Sequence, residues 1–279
     1  MARLTASGTR SFQWRQVTVQ LMLFGVTLAA GCGAPDQSAD IRAELAPSGS
    51  IRAALNFANS ALATRSTPSG EPGGIAVELV RELGRRLDLP VEFLAYDSAA
   101  AMADDARTGA WDVAFLAADP AREATIAFTA PYLELDATYL VPADSRFQTL
   151  DQVDAERVRI AARPRSAYDL FLRRSLTRAQ LIYPQGAETD IDVLVGGRAD
   201  VLAGLRHVLV DSAAEVPGLR VLDGRFAAMQ QAIGVPQGRV LALEYLRGFV
   251  EDVKASGLVA KAIEASAAKG VSVAPLARR

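Results

Sequence analysis

The sequence predicts an α/β fold of two lobes, each with a mostly parallel sheet flanked by helices. Two observations predict it. Short apolar runs alternate with segments of helical periodicity, and the alternation occurs twice along the chain. The run at 112–117, DVAFLA, is almost continuously apolar, as a strand buried on both faces must be.

The elements follow in order. IRAALNF at 51–57 reads as a strand, and a turn-rich stretch at 66–74 follows it. Ile75, Val77, Leu79, Val80, Leu83 and Leu87 recur at helical spacing. VEFLAY at 91–96 is a strand preceded by Pro90, and a short Ala-rich helix should end near Gly109 before the strand at 112–117. The second region repeats the pattern with a strand at 158–162 and a helix opened by Ser166. Ser166 and Asp169 have the spacing of a capping box. A strand at 181–184, a helix near 188–196, a strand at 199–204, a helix near 206–214 and a strand at 219–224 continue it. A last apolar strand at 227–236 precedes helices at 239–255 and 258–268, leaving 271–279 as a tail.

The start of the chain has a different character. Residues 1–16 carry Arg3, Arg10 and Arg15 and no acid, and an apolar run of about fourteen residues spans 17–30. That length suits a signal-peptide core and is short for a membrane span, which needs about 20 residues. LAAGC, ending at Cys32, is similar to a lipobox, the cleavage and lipidation site of bacterial lipoproteins. Ala29 stands where that pattern usually has Leu. Cys32 is the only cysteine, so no disulfide forms within the chain, and lipidation would account for a lone exported thiol. Residues 1–32 are therefore expected to be a signal peptide and 33–49, small, polar and Pro-containing, a flexible tether.

Composition bounds the function. The formal charge is −2, and removing the three signal arginines makes it −5, unlike a nucleic-acid binder. One His and one Cys build no His/Cys zinc site, and no metal or cofactor is expected. A Ser-His-Asp triad would have to use His207, which lies among apolar neighbours.

Five segments, in order, carry a resemblance. They are the glycine and first helix of GIAVELVRELGRRL, TGAWDVAF, the stretch from Arg122 to Tyr132 ending IAFTAPY, GGRADVLAG, and QQAIGVPQGR. Together they resemble family 3 of the bacterial extracellular solute-binding proteins, over about residues 50–270. The resemblance implies a type II periplasmic-binding fold. Lobe one would comprise 50–141 and 231–270, lobe two 142–230, joined by hinge strands near 139–142 and 229–233. It also implies capture of a small solute in the cleft and delivery to an ABC permease; the protein is expected to be a monomer, with the lipobox-like segment giving it a lipid anchor at Cys32.

The same resemblance marks candidate site residues. Arg122 would clamp a ligand carboxylate through a two-pronged guanidinium contact. Asp119 would either cap the turn opened by Pro120 or meet a ligand cation. Ser166 and Ala167 open a helix whose free N–H groups favour a carboxylate. Arg163 and Arg206 are further cationic candidates, each with a solvent-facing alternative, and Asn56 is a polar candidate at the end of the first strand. Relatives that bind amino acids carry an Asp shortly after G-R-A-D, where this chain has Leu205. An unmatched buried ammonium is costly, so an amine-free organic acid is expected ahead of an amino acid unless Asp119 takes the amine, and Arg122, Arg163 and Arg206 together would suit a carboxylate or a dicarboxylate. A dehydratase on the same scaffold, with Asp119 or His207 as acid or base, and a ligand-sensing lipoprotein are the alternatives. No catalytic residue is expected.

Overall fold

The computed structural model describes residues 37–65 and 71–277. The expected signal peptide and Cys32 lie outside them. Helix α1 (Gln37–Leu45) precedes β1 (Ile51–Asn56), and β2 (Thr64–Arg65) pairs with β3 (Pro72–Gly73). Next come α2 (Ile75–Leu87), β4 (Val91–Tyr96), α3 (Ala99–Asp104), β5 (Val113–Ala117), β6 (Ile126–Phe128) and the long β7 (Leu133–Pro142). The second lobe holds β8 (Arg159–Ala161), α4 (Ala167–Ser175), β9 (Gln180–Ile182), α5 (Asp190–Val195), β10 (Val201–Leu205), α6 (Arg206–Glu215) and β11 (Leu219–Val221). The chain returns through β12 (Ala227–Pro236) to α7 (Val240–Ala255), α8 (Leu258–Ser266) and β13 (Val271–Val273).

The strand order is β4-β1-β5-β12-β7-β10-β8-β9. At one end β4, β1 and β5 are parallel, and at the other β9, β8 and β10 are. The antiparallel pair of β7 and β12 joins them. Each lobe thus places its second strand, then its first, then its third. Both fasten the first to the third with the same device. Arg52 on β1 gives its backbone N–H and guanidinium to Asp112, just before β5. Arg159 on β8 does the same to Asp200, just before β10.

The cores divide along β7. Leu133, Leu135 and Ala137 pack with Leu55, Leu79, Phe115 and Phe249, whereas Tyr139 and Val141 pack with Val158, Ile160 and Leu172. Smaller clusters lie on the other face of each half, around Trp111 and around Leu194. Helix α2 starts at Gly74, whose φ of 114° is open to glycine and whose Cβ would lie 2.5 Å from the Leu62 carbonyl oxygen. That close approach lets Ile75 and Ala76 donate to the Ala61 and Leu62 carbonyls, which fixes the Leu62 segment over the ends of the strands.

Three expectations change. The segment expected to be a tether is helical over Gln37–Leu45, and Leu45 is fully buried in the first core. Glu44 replaces the cap that α7 lacks: its carboxylate accepts from the Ala242 N–H at 2.8 Å, and its carbonyl accepts from Arg239. The tail is not free either. β13 pairs with β7, Ala274 is buried, and the Ala277 N–H bonds to Glu251. The capping box at Ser166 is half formed. Ser166 Oγ accepts from the Asp169 N–H, but the Asp169 carboxylate turns to the Arg165 N–H, Arg173 and Tyr183. Among the described residues no helix is long and apolar enough to cross a membrane.

The docked α1 gives a stability test. Leu45→Ala should cost about 2–4 kcal/mol, the usual penalty for truncating a buried leucine. Glu44→Ala should cost about 1 kcal/mol, as for a lost helix cap. Denaturant unfolding reads both; a segment that behaved as a tether would leave both variants like the parent.

Candidate ligand-binding site

A cavity of about 270 Å³ lies between the two sets of parallel strands. The chain reaches it at the C-terminal end of every parallel strand: Asn56 ends β1, Ser98 follows β4 and Ala117 ends β5, while Arg163 follows β8, Thr189 follows β9 and Leu205 ends β10. Such ends are where open α/β sheets bind ligands, because the helices that follow point N–H groups outward there. Four helices, α3, α4, α5 and α6, begin at this cavity. Ser98, Ser166 and Thr189 cap three of them, and Leu205 gives α6 no side-chain cap.

Arg122 is the central cation. It sits on a tight turn after β5, where Asp119 Oδ1 accepts from the Ala121 N–H and the Asp119 carbonyl accepts from the Arg122 N–H. Its side chain is buried and lines the cavity. Nη1 donates to the Ala117 carbonyl at 2.8 Å and Nη2 to the Arg165 carbonyl, in lobe two, at 3.1 Å. A guanidinium has five N–H donors, so these leave three. Among the described residues Arg122 has no ion pair. Burial pulls its pKa down to about 10, so it stays charged at neutral pH.

The Arg165 carbonyl is held there by a strained turn. Pro164 precedes Arg165, the Ser166 N–H closes on the Arg163 carbonyl, and Arg165 has φ 58°. A non-glycine residue in that region costs about 1 kcal/mol or more. Buried Asp169 over-determines it by accepting the Arg165 N–H at 2.6 Å. The Arg165 guanidinium also crosses to Asp104 of lobe one with two bonds, one of 2.9 Å.

The other expected residues separate into two groups. Asn56, Arg163, Ser166 and Ala167 line the cavity, although Asn56 Oδ1 also accepts from the Ala58 N–H and Arg163 is ion-paired to Asp190. Asp119 and Arg206 do not line it. The Asp119 carboxylate is held by Arg174 across the cleft at 2.8 and 3.1 Å, besides its own turn. Arg206 runs the opposite way, to the carbonyls of Leu222 and Gly224 and towards Asp136. Leu205, where amino-acid binders would carry an acid, faces the cavity. Sequence reasoning missed Asp190, Thr189, Ser98 and Gln231. Thr189 and Asp192, the helix-start pair that places Asp190, were legible as a capping box.

His207 is buried beside this site rather than in it. Its Nε2 meets Asn59 Oδ1 of lobe one at 2.9 Å, and its Nδ1 has no partner. Burial lowers its pKa to about 4. Among the described residues no cluster of His, Cys, Asp and Glu could hold a metal ion.

The comparisons bear directly on this arrangement. Residues 57–265 match the profile of the bacterial extracellular solute-binding proteins, family 3. The chain belongs to that family. No curated protein sequence matches it. Among solved structures it is similar to a solute receptor for L-cysteine of Neisseria gonorrhoeae, with TM-score 0.68 and 23% identity over 80% of this chain and 92% of that one. It is similar to an ancestral amino-acid-binding protein described as a precursor of cyclohexadienyl dehydratase, with TM-score 0.66 and 18% identity over 80% and 96%. The periplasmic VFT2 domain of BvgS from Bordetella pertussis matches with TM-score 0.67 and 18% identity over 81% and 97%. The fold is the two-lobe type II periplasmic-binding fold of these solute-binding proteins.

Two outcomes follow from the contacts across the cleft. Arg174→Ala should destabilise the protein by about 1–3 kcal/mol, because it strips a buried carboxylate of its charged partner. Asp104→Ala breaks a pair whose side chains are half exposed and should cost no more than about 1 kcal/mol. Thermal or urea unfolding ranks the two. His207 is neutral in the folded protein and titrates near 6.5 when unfolded. Its contribution is therefore complete above about pH 6.5 and is lost as pH falls towards 4, on the order of 3 kcal/mol in all. His207→Gln should flatten that part of the stability–pH profile.

Proposed function

We propose that this protein captures a small, amine-free organic acid in the cleft and delivers it to an ABC permease. The observation that carries this is the buried Arg122 guanidinium, which lines the cavity and has no ion pair among the described residues, the nearby Asp119 being paired with Arg174. Three charged side chains line the cavity, and two of them, Arg163 and Asp190, neutralise one another. What remains is one positive charge, matched by one carboxylate. An amino acid would bring an ammonium as well, and Leu205 and the committed Asp119 offer it nothing. The remaining wall is largely apolar, with Leu62, Leu116, Leu202, Val208 and Leu209, and suits a hydrocarbon body. At about 270 Å³ the cavity lies at the small end of ligand pockets, so the ligand is small.

A binder is favoured over a dehydratase because neither Asp119 nor His207 lines the cavity, and Asp190, the carboxyl that does, is engaged by Arg163. We further propose that the protein acts outside the cytoplasm as a monomer held to the membrane through lipidated Cys32, which palmitate labelling with Cys32→Ser as control would test.

A thermal-shift screen over monocarboxylates, dicarboxylates, amino acids and sugars tests the binding function. A cognate monocarboxylate at a hundredfold over its Kd should add about 2.7 kcal/mol of stability. Arg122→Ala should abolish that gain. A response confined to amino acids, or one that survives loss of Arg122, would refute the proposed ligand class.

A further inference from the structure

The pair formed by Arg163 and Asp190 was not expected as a unit. Asp190 is the first residue of α5, and its side chain is only 15% exposed. Burial pushes its carboxyl pKa up, and Arg163 opposes that shift. Arg163 is 44% exposed and reaches Asp190 by a single bond from Nε, at 3.2 Å. Both side chains line the cavity and both act on the Tyr168 hydroxyl beside them. The next acid, Asp192, is turned away onto Thr189. Apart from Arg122, no other charged side chain among the described residues lines the cavity.

We propose that Arg163 and Asp190 are the specificity-determining pair, setting the net charge of the solute that the closed cavity accepts. With both present the wall carries one uncompensated positive charge, that of Arg122, and takes a monoanion. Without Arg163 the wall is a cation and an anion. Asp190 is then free to accept an ammonium while Arg122 holds a carboxylate, and the cavity takes a zwitterion. Without the Asp190 charge the wall carries two cations and takes a dianion. Closure excludes water, so a ligand whose charge fails to match leaves a buried charge unpaired, and that penalty makes the selection. Arg163 is on this account an internal counter-ion that masks Asp190, not a ligand contact. The inference rests on Arg122 as the carboxylate clamp.

The test is a cycle of four proteins: the parent, Arg163→Met, Asp190→Asn and the double variant, each checked for a folded circular dichroism spectrum. The probes share a six-carbon chain: hexanoate, 2-aminohexanoate and adipate. Calorimetry or thermal shift should rank hexanoate first for the parent, 2-aminohexanoate first for Arg163→Met and adipate first for Asp190→Asn. The double variant, with the parent's net charge, should return to hexanoate. Each change in preference should be about tenfold or more, the worth of one charge-assisted hydrogen bond. If the parent prefers hexanoate and the variants keep that preference, the pair does not set ligand charge and the proposed function stands. If the parent prefers the amino acid yet each variant shifts by the predicted charge step, the amine-free reading fails and the pair stands. Silence of all four proteins towards all three probes overturns the inference.

Discussion

A guanidinium taken out of water must be given hydrogen bonds, and much of this structure follows from giving them to Arg122. Its two intramolecular acceptors come from different lobes, the Ala117 carbonyl at the end of β5 and the Arg165 carbonyl ahead of α4. The second acceptor is aimed correctly only because Arg165 takes a left-handed backbone conformation, and Asp169 is spent holding it there. Asp119, three residues earlier on the same turn, is bound by Arg174. The positive charge is therefore solvated chiefly by neutral carbonyls, with the Asp119 carboxylate acting on it from beyond hydrogen-bonding contact.

The two lobes reach this site by the same construction. Each has three parallel strands in the same order, with an Arg on the first clamped to an Asp ahead of the third. Such a clamp fixes the strand ends opposite the cavity and leaves the C-terminal ends, with their loops and helix starts, to vary. The antiparallel β7 and β12 carry the chain between lobes, and β7 contributes side chains to both cores within one strand. A hinge motion between the lobes would therefore turn on these two strands.

Much of the fold was legible because it is written locally. The α2 face, the buried run of β5 and the second set of alternating elements all declare themselves by periodicity. What was not legible depends on distant partners. α1 is a short helix of mixed composition, placed by the packing of Leu45 and Ile41 and by the contacts of Glu44 with Arg239 and Ala242, nearly two hundred residues away. β13 is three residues long and exists because β7 offers it an edge. In the site the resemblance located Arg122, Ser166, Ala167 and Arg163 on the cavity wall. It could not tell that Asp119 and Arg206 would be engaged elsewhere, because their partners, Arg174 and the Leu222–Gly224 carbonyls, have no fixed spacing from them. Asp190 was overlooked for a related reason: among several acids near a helix start, only the three-dimensional placement separates the one that faces the cavity.

The docking of α1 also decides which half of the molecule the N-terminal side of the chain belongs to. Glu44 and Leu45 fasten this helix to α7 and the first core, not to the second lobe. Whatever holds the chain by its N-terminal side thus grips lobe one, and the load does not pass through β7 or β12. Lobe two, which carries Arg163, Asp190 and the starts of three of the four helices that face the cavity, is joined to that anchored half through β7 and β12.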